Sequence, residues 1–261
     1  RSFIAGRKGS LFGIDLDLTP YRHIVLYIFS GLTLITVLIS LFAPAVGNFE
    51  KDLVAKGLSQ AQTKMKLTRT NAENSQATSF GVNKGVVILG DSVALRSKDQ
   101  IESSIDNVAI DAVVSRNLST INDLLKDYAD SNALAKDVVI AGGVNEIDDY
   151  KGVINKMIKN LPKGHHIIFV TPYNGSKSGS KAVSLVQLRK YELEMAKKYD
   201  FVTVADWYQV AKENISIWNG TDGVHFGSDS DSINRGAKLY TNTIKEAIAK
   251  ANQKPVKGGK K

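Results

Sequence analysis

Val86-Val87-Ile88-Leu89-Gly90-Asp91-Ser92 is the stretch on which the fold turns. Its four apolar residues read as a buried strand. Gly90 permits a tight turn at the strand's end. Ser92 then falls at the C-terminal edge of a sheet and at the start of the next helix, where open α/β sheets place their ligands. A helix start offers free N–H groups and a partial positive charge, both suited to a developing oxyanion. Taken alone, Gly-Asp-Ser reads equally as a turn in which Asp91 or Ser92 caps the helix. A phosphate-binding turn is a third reading.

Outward from this stretch, strand and helix signals alternate. Short runs rich in Val and Ile predict strands at 86–90, 109–114, 137–142, 167–171 and 201–205. Helical patterns fall at 93–104, 118–130, 149–161, 181–199, 206–213 and 233–250. Such alternation predicts a mostly parallel sheet of about five strands with helices on both faces, a three-layer α/β/α domain of flavodoxin-like type. The domain is expected to span 85–251, followed by a basic flexible tail at 252–261 with Lys254, Lys257, Lys260 and Lys261.

Upstream, residues 50–84 are rich in Gln, Asn, Ser, Thr and Lys and read as a polar linker. Between His23 and Phe49 there is no formally charged residue, histidine counted as neutral. Ile24 to Val46 as a helix is about 35 Å long, enough for a bilayer core of roughly 30 Å. Tyr21 and Tyr27 sit near one end, as interfacial aromatics do. A transmembrane helix at 23–49 is therefore expected; a secretory signal, with a shorter apolar region and a small-residue cleavage site, is the rival. Orientation stays open on charge: Arg7, Lys8 and Arg22 precede the segment, and Lys51, Lys56, Lys64 and Lys66 follow it. Residues 1–22 read as a loop or juxtamembrane piece. The chain begins at Arg1, not Met, and so reads as a fragment or a processed piece.

The 261 residues contain no cysteine, which removes disulfides, thiol nucleophiles and Cys-based metal sites. The formal charge of +8 fits an anionic setting such as acidic lipid, a wall polymer or nucleic acid, or else reflects basic tails.

Four histidines are present. His23 flanks the apolar segment, and His165-His166 follow Pro162-Lys163-Gly164 as a solvent-edge turn. His225 lies in Gly220-Thr221-Asp222-Gly223-Val224-His225-Phe226 before the last helix. An Asp three residues before a His can curl back onto Nδ1–H, which leaves Nε2 free to take a proton from a serine. At the end of the third strand stands Gly142-Gly143-Val144-Asn145-Glu146, on the same sheet edge as Ser92. Asn145 there either donates its amide to an oxyanion or stabilises its own loop.

Gly-Asp-Ser after the first strand, Gly-x-Asn after the third and Asp-x-x-His before the last helix follow the block order of the SGNH/GDSL superfamily, which residues 85–250 resemble. The resemblance implies a nucleophile at Ser92, completed by Asp222 and His225. It implies an oxyanion hole from the Ser92 N–H and the Asn145 side chain. The family's second-block glycine has no match; Val114-Ser115-Arg116-Asn117 stands there, so Ser115 is expected to lend its backbone N–H. Glu146 replaces the Asp that usually follows the Asn.

The apolar segment, polar linker and Gly-Asp-Ser-Val-Ala-Leu-Arg together resemble the C-terminal part of OatA-type peptidoglycan O-acetyltransferases, the streptococcal ones above all. That resemblance implies acetyl transfer to the C6 hydroxyl of N-acetylmuramic acid, which confers lysozyme resistance. It implies an acetyl donor delivered by an N-terminal membrane acyltransferase domain, a catalytic domain outside the cell membrane, and no metal, cofactor or nucleic-acid partner. Tyr173, Val144 and Phe226 are the expected substrate-binding residues, with loop packing an equal reading for Phe226. Two rivals remain: a surface carbohydrate O-acetyl esterase, and a non-catalytic membrane-tethered wall-binding module. Arg96 reads as part of a solvated helix face, Asp206-Trp207-Tyr208-Gln209 as a capping box, and Trp218 as loop packing or a sugar contact.

Overall fold

The structure is a computed structural model that describes residues 9–11, 14–16, 23, 27–33, 80–145, 149–176 and 179–259. The chain divides into two compact units, Arg1–Asn48 and Phe49–Lys261. In the first, β1 (Gly9–Leu11) and β2 (Ile14–Leu16) pair antiparallel, Gly9 opposite Leu16. This corrects the expected loop: two short strands only two residues apart suit a hairpin. Residues 27–33 are helical, with Tyr27, Ile28, Phe29 and Leu32 exposed. No helix among the described residues is long and apolar enough to cross a membrane. Most of the expected span at 23–49 lies outside the described residues, as does the linker up to residue 79.

The second unit is built on β3 (Val86–Gly90), β4 (Val108–Ala112), β5 (Asp137–Ala141), β6 (His166–Val170) and β7 (Val202–Ala205). All are parallel, in the order β4-β3-β5-β6-β7. The chain moves outward from β3 to β4 and then returns to β5 on the other side of β3. A topological switch point therefore opens between the C-terminal ends of β3 and β5, the ligand position of open α/β sheets. Along β3 successive side chains point to opposite faces. Val86 and Ile88 join Ile110, Val139 and Ile168 under one helical layer; Val87 and Leu89 join Val138, Ile140 and Phe169 under the other. Both faces are covered, which is why the strands read as unbroken apolar runs. Each such side chain stabilises the fold by about 1.5–3 kcal/mol.

The helices are α1 (Ser92–Arg96), α2 (Lys98–Ser104), α3 (Leu118–Asp130), α4 (Tyr150–Asn160), α5 (Gly179–Lys198), α6 (Trp207–Glu213) and α7 (Ser230–Ala251), with a short 3-10 turn at Ile215–Trp218. The single helix expected at 93–104 is two. The Ser97 hydroxyl donates to the Val93 carbonyl at 3.0 Å, competing with the helical ladder, and the axis breaks there. The expected Asp206 capping box is also replaced. The Asp206 carboxylate binds Arg189 at 2.7 and 2.6 Å, and the Thr171 hydroxyl receives the Tyr208 N–H instead.

At the opposite, N-terminal edge of the sheet, residues 252–259 are a strap, not a free tail. Lys257 exchanges backbone hydrogen bonds with Gly164 and His165. Its ammonium meets the carbonyls of Ile158, Lys159 and Leu161, the open end of α4. His165 and His166 are buried under this strap, correcting the expected solvent-edge turn. The packing against the sheet also extends before residue 85: the carbonyl of buried Asn83 accepts the Lys136 N–H.

Candidate active site

Four loops meet at the switch point. The first is the β3–α1 turn. Asp91 caps α1, its carboxylate accepting the Val93 N–H at 2.9 Å. A side chain at Gly90 would bring a Cβ within 2.6 Å of the Ala94 Cβ, so glycine lets α1 start hard against the strand. Burial pushes the Asp91 carboxyl up to about 7, against backbone hydrogen bonds and Arg116, which pull it down. Ser92, the first residue of α1, is almost fully buried.

The second loop carries the expected base. Asp222 Oδ1 accepts the backbone N–H groups of Val224 and His225 at 2.9 and 2.8 Å, curling the loop over the carboxylate. Asp222 Oδ2 accepts Nδ1–H of His225 at 2.7 Å. That fixes the proton on Nδ1 and turns the Nε2 lone pair outward. The Ser92 hydroxyl donates to this Nε2 at 2.7 Å. Burial alone would raise the Asp222 carboxyl, but the N–H groups of His225 and Val224 and the imidazole hold it below the usual range. The three residues expected as a triad are thus brought together in the expected order.

The third component joins the loops after β4 and β5. The Asn145 amide donates to the Arg116 carbonyl at 3.2 Å, which ties the third block to the second. Ser115, in the place expected of the glycine, has φ of 58°. This is the left-handed region that glycine adopts freely and serine adopts at a cost of about 1 kcal/mol. Arg116, which the sequence reading passed over, braces the turn from beneath. It donates to the carbonyls of Gly90 and Asp111 at 3.2 and 2.7 Å and to the Asp111 carboxylate at 2.9 Å. The Tyr128 hydroxyl takes the other Asp111 oxygen at 2.9 Å. A buried Asp one strand-end away from an Arg was the available signal. Glu146 lies outside the described residues.

Of the expected substrate-binding residues, Val144 and Tyr173 line a small pocket at this edge together with Asp91, Gly142 and Pro172. Phe226 does not. It is fully buried, packed edge-on against Trp207 at 5.9 Å and seated on Gly236, so it belongs to the core under the histidine loop. Although adjacent to His225, Phe226 turns its ring into the core while His225 faces Ser92. Trp218 stacks on Tyr173 at 4.9 Å and donates its indole N–H to the Ala211 carbonyl, a packing role. The Gly175 N–H meets the Gly223 carbonyl at 2.9 Å, joining the Tyr173 loop to the histidine loop. Arg96 is buried, not solvated. Among the described residues no group of three His, Asp or Glu side chains is placed to hold a metal ion.

A five-stranded parallel α/β/α domain with Gly-Asp-Ser, Gly-x-Asn and Asp-x-x-His at one sheet edge is a domain of the SGNH/GDSL class. Comparison with known proteins narrows this. The structure is similar to the C-terminal catalytic domain of peptidoglycan O-acetyltransferase A (OatA) of Streptococcus pneumoniae, solved with a methylsulfonyl adduct. Sequence identity is 44%, the match covers 67% of this chain and 98% of that one, and the TM-score is 0.66. A lipolytic protein of the G-D-S-L family from Veillonella parvula shares the fold at 15% identity, 64% and 98% coverage and a TM-score of 0.53. Among curated sequences, YrhL of Bacillus subtilis (strain 168), provisionally named a peptidoglycan O-acetyltransferase, is 28% identical over 165 residues. That match covers 63% of this chain and about a quarter, 24%, of the length of YrhL. No sequence-family profile matches the chain. The chain belongs to the family of the OatA C-terminal catalytic domain.

Proposed function

We propose that this chain carries the serine acyltransferase domain of a peptidoglycan O-acetyltransferase. The observation that carries the reading is the unbroken relay from Asp222 through His225 to Ser92, with both links at 2.7 Å, at the ligand edge of the sheet. His225 Nε2 takes the Ser92 proton as Oγ attacks the acetyl carbonyl of the donor. The tetrahedral oxyanion is held by the Ser92 N–H, the Asn145 side chain and the Ser115 N–H; each such donor contributes about 3 kcal/mol. Collapse expels the donor's leaving group, which takes the proton from His225 and leaves acetyl-Ser92. The C6 hydroxyl of N-acetylmuramic acid then attacks, His225 takes its proton, and Ser92 is regenerated with that proton. No step in this sequence calls for a metal or an organic cofactor.

The kinship with the OatA domain supports peptidoglycan as the acceptor. Val144 and Tyr173 border the place where donor and sugar would meet. The uncharged run from Ile24 to Val46 supports a membrane tether; the resemblance to OatA-type enzymes supports a catalytic domain outside the cell and an acetyl donor passed from a membrane acyltransferase domain. The test is to give the protein an activated acetyl ester with and without muropeptide oligomers, and to follow acetate release and sugar acetylation by mass spectrometry. Sugar acetylation at the expense of free acetate is expected. Equal acetate release in both arms points to an esterase; no turnover at all contradicts an acyl-transfer site and leaves a wall-binding module.

A further inference from the structure

We propose that Arg96 is a positioning residue that holds His225 against the Ser92 helix during the half of the reaction in which Ser92 itself cannot. The inference rests on the Ser92–His225 assignment and goes beyond it. Arg96 stands one helical turn after Ser92, at i+4 on the same face of α1. Its side chain is buried with 7% of its surface exposed. Nε donates to the Phe226 carbonyl at 2.8 Å, and the terminal guanidinium nitrogen donates to the Gly227 carbonyl at 2.7 Å. These carbonyls belong to the two residues that directly follow His225. The guanidinium also lies over the Phe226 ring, 5.9 Å from its centre.

The contacts close a ring. It runs from Ser92 along one helical turn to Arg96, across to the Phe226 carbonyl, back one residue to His225, and across again to Ser92. One of the two crossings is the catalytic hydrogen bond itself. In the acetyl-enzyme that hydrogen bond is gone, because Oγ carries the acetyl group and has no proton to donate. The Arg96 crossing persists. It keeps the imidazole where the incoming hydroxyl must deliver its proton.

The local structure needs such a crossing. A helix of five residues does not hold its own orientation in water. The histidine loop turns sharply at Gly227, where φ is 81° and a side chain would strike the Ile233 backbone. That turn leaves two adjacent carbonyls facing inward, and buried carbonyls require donors. A planar guanidinium serves both at once, whereas an ammonium is a point donor.

The test is rapid-mixing kinetics with p-nitrophenyl acetate on the full chain, comparing wild type, Arg96→Met, Arg96→Lys and Ser92→Ala, with the thermal midpoint of each variant measured alongside. The burst reports acetylation of Ser92, and the steady state reports removal of the acetyl group. For Arg96→Met the account expects the steady-state step to fall by about 100-fold, the size of effect that a 1 Å misplacement produces. The burst rate falls less, acetyl-enzyme accumulates, and KM for the ester falls along with kcat, because kcat/KM follows the acetylation step alone. Arg96→Lys restores part of the steady-state loss. Wild-type rates in Arg96→Met, equal losses in both steps, or a loss that disappears on correction for folded protein would each overturn the inference. A burst that survives Ser92→Ala instead overturns the nucleophile assignment, and the inference falls with it.

Discussion

The domain contains two Asp–His pairs with the same bond length and opposite character. At the C-terminal edge of the sheet, Asp222 meets His225 Nδ1 at 2.7 Å. At the N-terminal edge, Asp137 meets His166 Nδ1, also at 2.7 Å. The difference lies at the other ring nitrogen. His225 Nε2 faces the Ser92 hydroxyl, a donor with a proton to give. His166 Nε2 faces the Lys254 carbonyl at 3.1 Å, which can only accept. Burial differs too: the His166 and Asp137 side chains are 1% and 6% exposed, those of His225 and Asp222 20% and 56%. An Asp–His pair is therefore not in itself a catalytic device. The group on the far nitrogen decides whether it moves a proton or fastens a chain. The first pair leads to the Ser92 hydroxyl, where the proposed reaction begins; the second fastens the C-terminal strap across the strand starts.

The comparison breaks most visibly when the two aspartates are exchanged for asparagine. Asp222→Asn should lower acetyl transfer by about 10⁴-fold, because the imidazole loses its enforced tautomer; steady-state rates with an activated ester would measure it. Ser92→Ala should do at least as much and abolish covalent labelling. Next in size, Asn145→Ala should cost about 10²–10³ in kcat by removing an oxyanion donor, read at saturating ester. Asp137→Asn should leave the specific activity of folded protein unchanged and lower stability by about 3 kcal/mol, the usual result of breaking a buried pair. Urea unfolding would report it. If Asp137→Asn impairs chemistry and Asp222→Asn does not, the roles of the two pairs are reversed.

Two smaller effects sharpen the account of the active edge. Burial raises the folded Asp91 carboxyl from 3.8 to about 7. The stability linked to this group is therefore full below about pH 4, its unfolded value, and is lost as pH rises through about 7. Asp91→Asn keeps an oxygen for the helix cap and does not ionise. Its thermal midpoint should gain on wild type by several degrees between pH 4 and pH 8; a constant difference across that range would contradict the shift. Ser115→Gly relieves a left-handed serine and should raise stability by about 1 kcal/mol or less. Activity should be retained, because the expected donor there is a backbone N–H. A large loss of activity would mean that the serine side chain takes part.

The fold and the meeting of Ser92, Asp222 and His225 were legible because both rest on local patterns. Unbroken apolar runs such as Val86 to Leu89 mark strands buried on both faces, and Gly90 marks a turn that a side chain would block. Asp222 and His225 are close enough in sequence for one loop to join them. What joins loops distant in sequence was not legible. Arg96 looks like a helix-surface residue until its carbonyl partners, some 130 positions away, are in place. Arg116, Lys257 and His166 are silent for the same reason: each satisfies backbone or carboxylate oxygens whose positions only the folded sheet defines. For Phe226 the sequence leaves sugar contact and packing open, because adjacency to His225 does not say which way the ring points; its burial shows packing. Ser97 split a helix through a hydroxyl that periodicity does not register.

The central claim is that the pair at the active edge, and not the one under the strap, arms Ser92. It is tested most directly by locating the acetyl group after brief reaction with an activated acetyl ester and acid quench, by peptide mass mapping of wild type, Asp222→Asn and Asp137→Asn. The account predicts acetyl on Ser92 in wild type and Asp137→Asn, little in Asp222→Asn, and loss of that acetyl to sugar when muropeptide oligomers are added before the quench. Acetyl found on another residue, or equally on Ser92 in all three proteins, would contradict it.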